Sequence, residues 1–180
     1  MEKKWYAVYV KNNSEKKVSA ILTKRKIQNY CPLNSQVYYV GEKKKITFEP
    51  LFKNIVFVEA TNEDLFKIQQ MDGVLSILYW LNQPAVIRQD EINTIKHFVD
   101  NYDNIKLDKC MIMPHGKIKI NGGSAPTMEN ELVAVKGDKT IALLPSLGYV
   151  ITADMESADA VIIKQKDVFK QKEVFRFAVS

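Results

Sequence analysis

Apolar positions recur with a period of two in some stretches of the first hundred residues and of three to four in others, and the switches predict the elements. Residues 5–10, WYAVYV, are aromatic and β-branched and read as a strand. In the next stretch Val18, Ile21 and Leu22 fall on one helical face, with Lys17, Lys24 and Arg25 mostly outside it. Asn13 or Ser14 can cap this helix, and Glu15 suits its positive end. Residues 35–50, SQVYYVGEKKKITFEP, hold two β-rich arms around Gly41 to Lys45, a hairpin whose tip reads as basic through Lys43, Lys44 and Lys45.

NIVFVEA supplies another strand, and Thr61 with Asp64 forms a capping-box pattern for a short helix carrying Leu65, Phe66 and Ile68. GVLSILYW reads as a strand, Pro84 to Ile87 as a short edge segment, and Asp90 to Tyr102 as a helix through Ile92, Ile95, Phe98 and Val99. A mainly antiparallel sheet with helices on one face satisfies this order, so the fold class is α+β over residues 1–102.

The pattern then changes. Residues 103–109 are polar and read as a linker. Beyond them GKIKI, ELVAVKG, DKTIALL and YVITADM are short alternating strands, separated by turn residues at Asn121-Gly122-Gly123 and Gly137-Asp138. That spacing points to a small five-stranded barrel over residues 110–163. Residues 164–180 alternate polar with Val and Phe and read as an extension, either a strand or a short helix.

Composition narrows the function. With 180 residues, 46% of them hydrophobic, the chain can bury a core. A net charge of +5 favours an anionic partner, although solvated lysines explain it equally well. Cys31 and Cys110 are far apart and His97 and His115 lie in no metal-ligand spacing, so neither a disulfide framework nor a metal site is read here. VKGDKT lacks the full phosphate-loop spacing and is better explained as a hairpin turn. No nucleophile elbow or acid/base carboxylate pair stands out. The chain reads as a cytoplasmic binding protein, with no cofactor and no enzymatic activity.

Three stretches in order, KKWYAVYVKNNSEKKV, EPLFKNIVFVEA and GVLSILYWLNQPAVIRQDEINTI, resemble the N-terminal (NGN) domain of NusG-type transcription elongation factors. The segment HGKIKINGGSAP, followed by ENELVAVKGDKTIALLPSLGYVITADM, resembles a diverged KOW barrel. Its ending is similar to the UpxY-type antiterminators of capsular polysaccharide operons. The resemblance implies a factor that binds the clamp helices of the largest RNA polymerase subunit and suppresses pausing and termination. Phe52 and Ile55 would line the groove for the clamp-helix tip, with Trp5 and Tyr6 supporting or bordering it. Trp5 and Phe52 also read as ordinary core residues.

Lys16, Lys17, Lys24, Arg25 and Lys43, Lys44 and Lys45 would face non-template DNA or nascent RNA, and Tyr38 and Tyr39 would offer a base-stacking surface. A solvated helix face and hairpin cross-strand pairing are the plainer alternatives. The barrel would recruit a ribosomal protein or termination factor. Where the family carries Pro-Gly-Tyr, this chain has Lys53-Asn54-Ile55, and Gly122-Gly123-Ser124 stands at the barrel's Gly-Pro-Phe turn. The alternatives are an RNA-binding KOW protein of ribosomal or translational type and a housekeeping NusG.

Overall fold

The computed structural model describes residues 2–112, 118–120, 123–124, 133–136 and 139–154, with side chains over 2–110 and 139–154. The chain divides into two compact units, Met1–Asn34 with Phe48–Ile92, and Ser35–Thr47 with Asn93–Ser180.

The first unit is built on β1 (Lys4–Val10), whose residues are buried on both faces from Trp5 to Val8. One edge of β1 pairs antiparallel with β5 (Ile55–Ala60), from Lys4 opposite Ala60 to Tyr9 opposite Ile55. The other edge is shared. β6 (Val74–Ile77) takes its second half, with Val8 opposite Ile77, and β9 (Val86–Ile87) takes its first, with Trp5 opposite Ile87. A short strand β2 (Gln28–Tyr30) lies outside β5, giving the order β2-β5-β1-β6.

Alternation decides what each face carries. Tyr6, Val8 and Val10 of β1 join Val56, Val58 and Ala60 of β5 in one buried cluster. Onto that face pack Val18 and Leu22 of α1 (Glu15–Lys24) and Leu65 and Ile68 of α2 (Asn62–Gln69). Each such side chain contributes about 1.5–3 kcal/mol when fully removed from water. Thr61 caps α2 as its sequence indicates: its hydroxyl accepts from the Asp64 amide at 3.3 Å, and the Asp64 carboxylate accepts from the Thr61 amide at 3.2 Å. Phe66, on the outer side of α2, is exposed. At α1, Ser14 occupies the N-cap position but makes no side-chain capping bond.

One joint ties β1, α1 and β5 together. Asn54, just before β5, has φ of 63°, a left-handed conformation that Asn tolerates better than most side chains. Its amide donates to Glu15 Oε1 at 2.7 Å, and its side-chain Nδ2 donates to the Val10 carbonyl at 3.2 Å. The Val10 amide returns a bond to the Asn54 carbonyl at 2.9 Å. Glu15 is buried, so its carboxylate is removed from water to serve this turn. Nearby, Gly73 at φ of 89° accepts from the Lys11 amide, and a Cβ there would meet Val18 Cγ2 at 2.9 Å.

The segment GVLSILYW is not one strand. It breaks at Leu78, whose amide donates to the Ala7 carbonyl, and the chain then leaves the sheet as a separate two-stranded hairpin. β7 (Tyr79–Trp80) and β8 (Gln83–Pro84) form it, and β9 returns to the edge of β1. The break has a topological cause: β1 offers one edge to two partners, and the residues between them must go elsewhere.

α3 (Gln89–Asn101) contributes residues to both units and buries Ile92, Ile95 and Phe98. The second unit contains most of a hairpin, β3 (Leu33–Val40) with β4 (Lys43–Pro50), and a six-stranded antiparallel sheet. That sheet has the order β12-β11-β10-β15-β14-β13. Its strands are β10 (Lys106–Ile112), β11 (Ile118–Ile120), β12 (Gly123–Ser124), β13 (Val133–Lys136), β14 (Lys139–Leu144) and β15 (Tyr149–Asp154). Thr140 to Leu144, Val150, Ile151 and Ala153 are buried.

All four expected barrel strands occur, with β10 and β12 in addition. Among the described residues the sheet ends at β12 and β13, and the pairing that would close a barrel is not among their bonds. The expected linker at residues 103–109 includes the first four residues of β10, where Leu107 alternates with polar neighbours opposite Ile151. The turn residues Asn121, Gly122, Gly137 and Asp138, and the extension at residues 164–180, lie outside the described residues.

Replacing Glu15 by Ala leaves the Asn54 amide without its buried acceptor. The expected loss is about 1–3 kcal/mol in urea unfolding. Glu15→Gln, which keeps an acceptor oxygen, is expected to recover most of it.

Candidate partner-binding surfaces

The four residues expected at a polymerase groove are all core. Relative exposures are 4% for Trp5, 5% for Tyr6, 1% for Phe52 and 6% for Ile55, so none presents its side chain to solvent. Tyr6 lies on the face covered by α1 and α2. Trp5 is one residue along and points to the other face, where its indole Nε1 donates to Gln89 Oε1 at 2.8 Å. Ile55 stands opposite Tyr9 on that second face. Phe52 packs edge-on against Phe57 with ring centroids 5.2 Å apart, and Phe57 pairs with Ala7. The structure therefore brings Phe52 and Phe57 into contact, places Trp5 and Ile55 on the same face of the sheet and separates Tyr6. The burial of Trp5 and Phe52 agrees with their plainer reading as core residues. An aromatic and β-branched strand covered on both faces is filled by its own fold.

The basic residues are exposed, but not equivalent. Lys16 Nζ donates to the Phe48 carbonyl at 2.9 Å. Lys17 and Lys11 clamp Asp72 at 3.3 and 3.4 Å, and these two bonds hold the Asp72 carboxyl below its usual range. Lys24 and Arg25 end α1, where a cation also meets the negative end of the helix dipole. Lys43, Lys44 and Lys45 are not in the hairpin tip. The turn is Gly41-Glu42, with Gly41 at φ of 62°, and the three lysines open β4. Successive strand residues alternate, so Lys44 projects from the face opposite Lys43 and Lys45.

Tyr38 and Tyr39 are exposed on β3, at 43% and 70%, with Val40 and Ile46 also open to solvent. They too point to opposite faces, so the two rings do not form one platform. The base of the hairpin is held within the second unit. The Val37 amide donates to Asn104 Oδ1 at 3.0 Å, the Asn104 amide donates to the Ser35 carbonyl at 2.8 Å, and the Ser35 hydroxyl donates to Asp103 Oδ1.

A second hairpin was not legible as a surface. Tyr79, Trp80 and Leu81 of β7–β8 are exposed at 47%, 73% and 83%. Asn82 in the turn and Pro84 just beyond it are the available signal, but the apolar run ahead of them reads as buried strand.

Reactive chemistry is muted. Cys31 is half-buried, and burial, reinforced by the Glu15 carboxylate against Lys16, raises its pKa to about 11. Burial likewise raises the Cys110 thiol. Among the described residues no group of three His, Cys, Asp or Glu side chains is placed to hold a metal ion, and no helix is long and apolar enough to cross a membrane. His97 lies on the surface of α3 beside Asn101, and His115 is outside the described residues.

The family described as "Transcription termination factor nusG" matches residues 3–96, more than half of the chain, from β1 into α3. Among solved structures, NusG of Thermotoga maritima aligns over 87% of this chain and 99% of its own, at 16% identity and a TM-score of 0.46. No curated protein matches the sequence.

Two outcomes check the burial of Phe52 and the partial burial of Cys31. Phe52→Ala is expected to lose about 3–5 kcal/mol of stability in chemical denaturation, as a core truncation does. Cys31 binds its proton more tightly when folded, so its contribution is complete below pH 9.0 and is lost as pH rises towards about 11. The denaturation midpoint should therefore fall more steeply over that alkaline window for the native chain than for Cys31→Ala.

Proposed function

Because the chain belongs to the NusG family, we propose that it is a transcription elongation and antitermination factor acting by binding RNA polymerase, without catalysis. The observation that carries this reading is the family match over residues 3–96, which spans the whole β1–β5–β6 arrangement. In this reading the first unit docks on the clamp helices of the largest polymerase subunit. Trp5, Phe52 and Ile55 act from beneath the docking face, holding the sheet rigid, and Tyr6 anchors the opposite face on α1 and α2. A fixed scaffold lowers the entropic cost of association.

The β3–β4 hairpin then faces nucleic acid. Lys43, Lys44 and Lys45 supply phosphate contacts to non-template DNA or nascent RNA, and an exposed Tyr39 offers one stacking ring. Lys16, Lys24 and Arg25 extend the cationic surface along α1, while Lys17 is largely spent on Asp72. The second unit, as a KOW-like module, recruits a further partner such as a ribosomal protein or termination factor. The departures at Lys53-Asn54-Ile55 and Gly122-Gly123-Ser124 favour a specialised paralogue serving one operon, of the capsular polysaccharide kind, over a housekeeping factor.

The test is a reconstituted transcription reaction with purified polymerase. The chain is expected to bind the elongation complex and raise readthrough at pause and termination sites; no binding sinks the proposal. Changing Lys43, Lys44 and Lys45 together to Glu should leave binding to core polymerase intact. It should also make the salt dependence of binding to the elongation complex shallower by about 2, from three phosphate contacts at roughly 0.7 each on single strands.

A further inference from the structure

We propose that the β7–β8 hairpin is a second protein anchor, a neutral knuckle in which Trp80 and Leu81 insert into an apolar pocket on the protein surface of RNA polymerase. This rests on the polymerase-binding reading above and adds a contact to it.

The first argument is conformational. Tyr79 pairs with Pro84 and Trp80 with Gln83, leaving Leu81-Asn82 as a two-residue turn. Both turn residues have positive φ, 48° and 62°. Such turns favour Asn-Gly or Asp-Gly, because a side chain in the left-handed region crowds the backbone. Leucine is a poor choice for this position, and at 83% exposure it gains no packing in return. Neither the turn nor the core accounts for Leu81, whereas a pocket on a partner does.

The second argument is electrostatic. From Gly73 to Ile87 the chain carries no charged residue, although charged residues make up 26% of the whole. The flanking charges are engaged: Asp72 with Lys11 and Lys17, and Arg88 with Glu91 at 3.7 Å. A nucleic-acid strand would find no cation here for its phosphates. The complement of this surface is an uncharged apolar recess, with the Asn82 and Gln83 amides as a polar rim. Trp80, at 73% exposure, supplies the large rigid side chain typical of interface anchors.

Binding of the full chain to cognate core RNA polymerase, free of nucleic acid, tests this with Trp80→Ala and Leu81→Asn. Trp80→Ala should keep its circular dichroism spectrum and bind at least about tenfold more weakly. Leu81→Asn should raise the thermal midpoint, by relieving the turn, while weakening binding severalfold; a purely structural role cannot produce those opposite signs. If both variants bind like the native chain, the knuckle is not a contact and only this inference falls. If the native chain itself does not bind, the polymerase reading falls with it. If affinity drops only when single-stranded DNA or RNA is added, the knuckle reads bases and the protein-pocket assignment is overturned.

Discussion

The Asn54 joint sets the register on which the first unit depends. Its bonds to Glu15 and Val10 hold the start of β5 against the end of β1 and the first turn of α1. A slip of one residue between β1 and β5 would exchange the two faces of the strand that moved. Tyr6, Val8 and Val10 would leave the α1–α2 cluster, and Trp5 and Ala7 would enter it. Asn54 adopts a left-handed backbone of the kind glycine favours and adds a side-chain bond that glycine cannot make.

Much of this fold was legible because its causes are local. The Thr61–Asp64 box lies within four residues, and the Val18–Leu22 stripe belongs to one helix face. What escaped reading depends on distant segments. Phe52 reads equally as core or as a groove residue, and its edge-on contact with Phe57 depends on the pairing of β5 with β1. Residues 79–84 looked like strand and edge, but β9 returns to β1 and displaces them. Lys106 to Lys109 looked like linker because the pairing of a single alternating leucine with Ile151 is visible only beside β15.

The candidate surfaces divide the same way. Cations were readable, since exposure is their ordinary state, but which of them are committed was not. Asp72 lies fifty-five positions from Lys17 and pairs with it at 3.3 Å. The two hairpins also differ in chemistry. β3–β4 sets three lysines beside exposed tyrosines, while β7–β8 is uncharged and apolar. One suits a polyanion and the other a dry pocket.

The double use of β1 has a further consequence, in the rates at which the structure opens. A strand laddered on both edges and buried on both faces releases its amides to exchange only when the unit unfolds as a whole. β7–β8 forms its own two-stranded sheet outside that ladder and can open without disturbing it. The first unit thus combines a spine that opens only with the whole unit and a hairpin whose bonds can open by themselves.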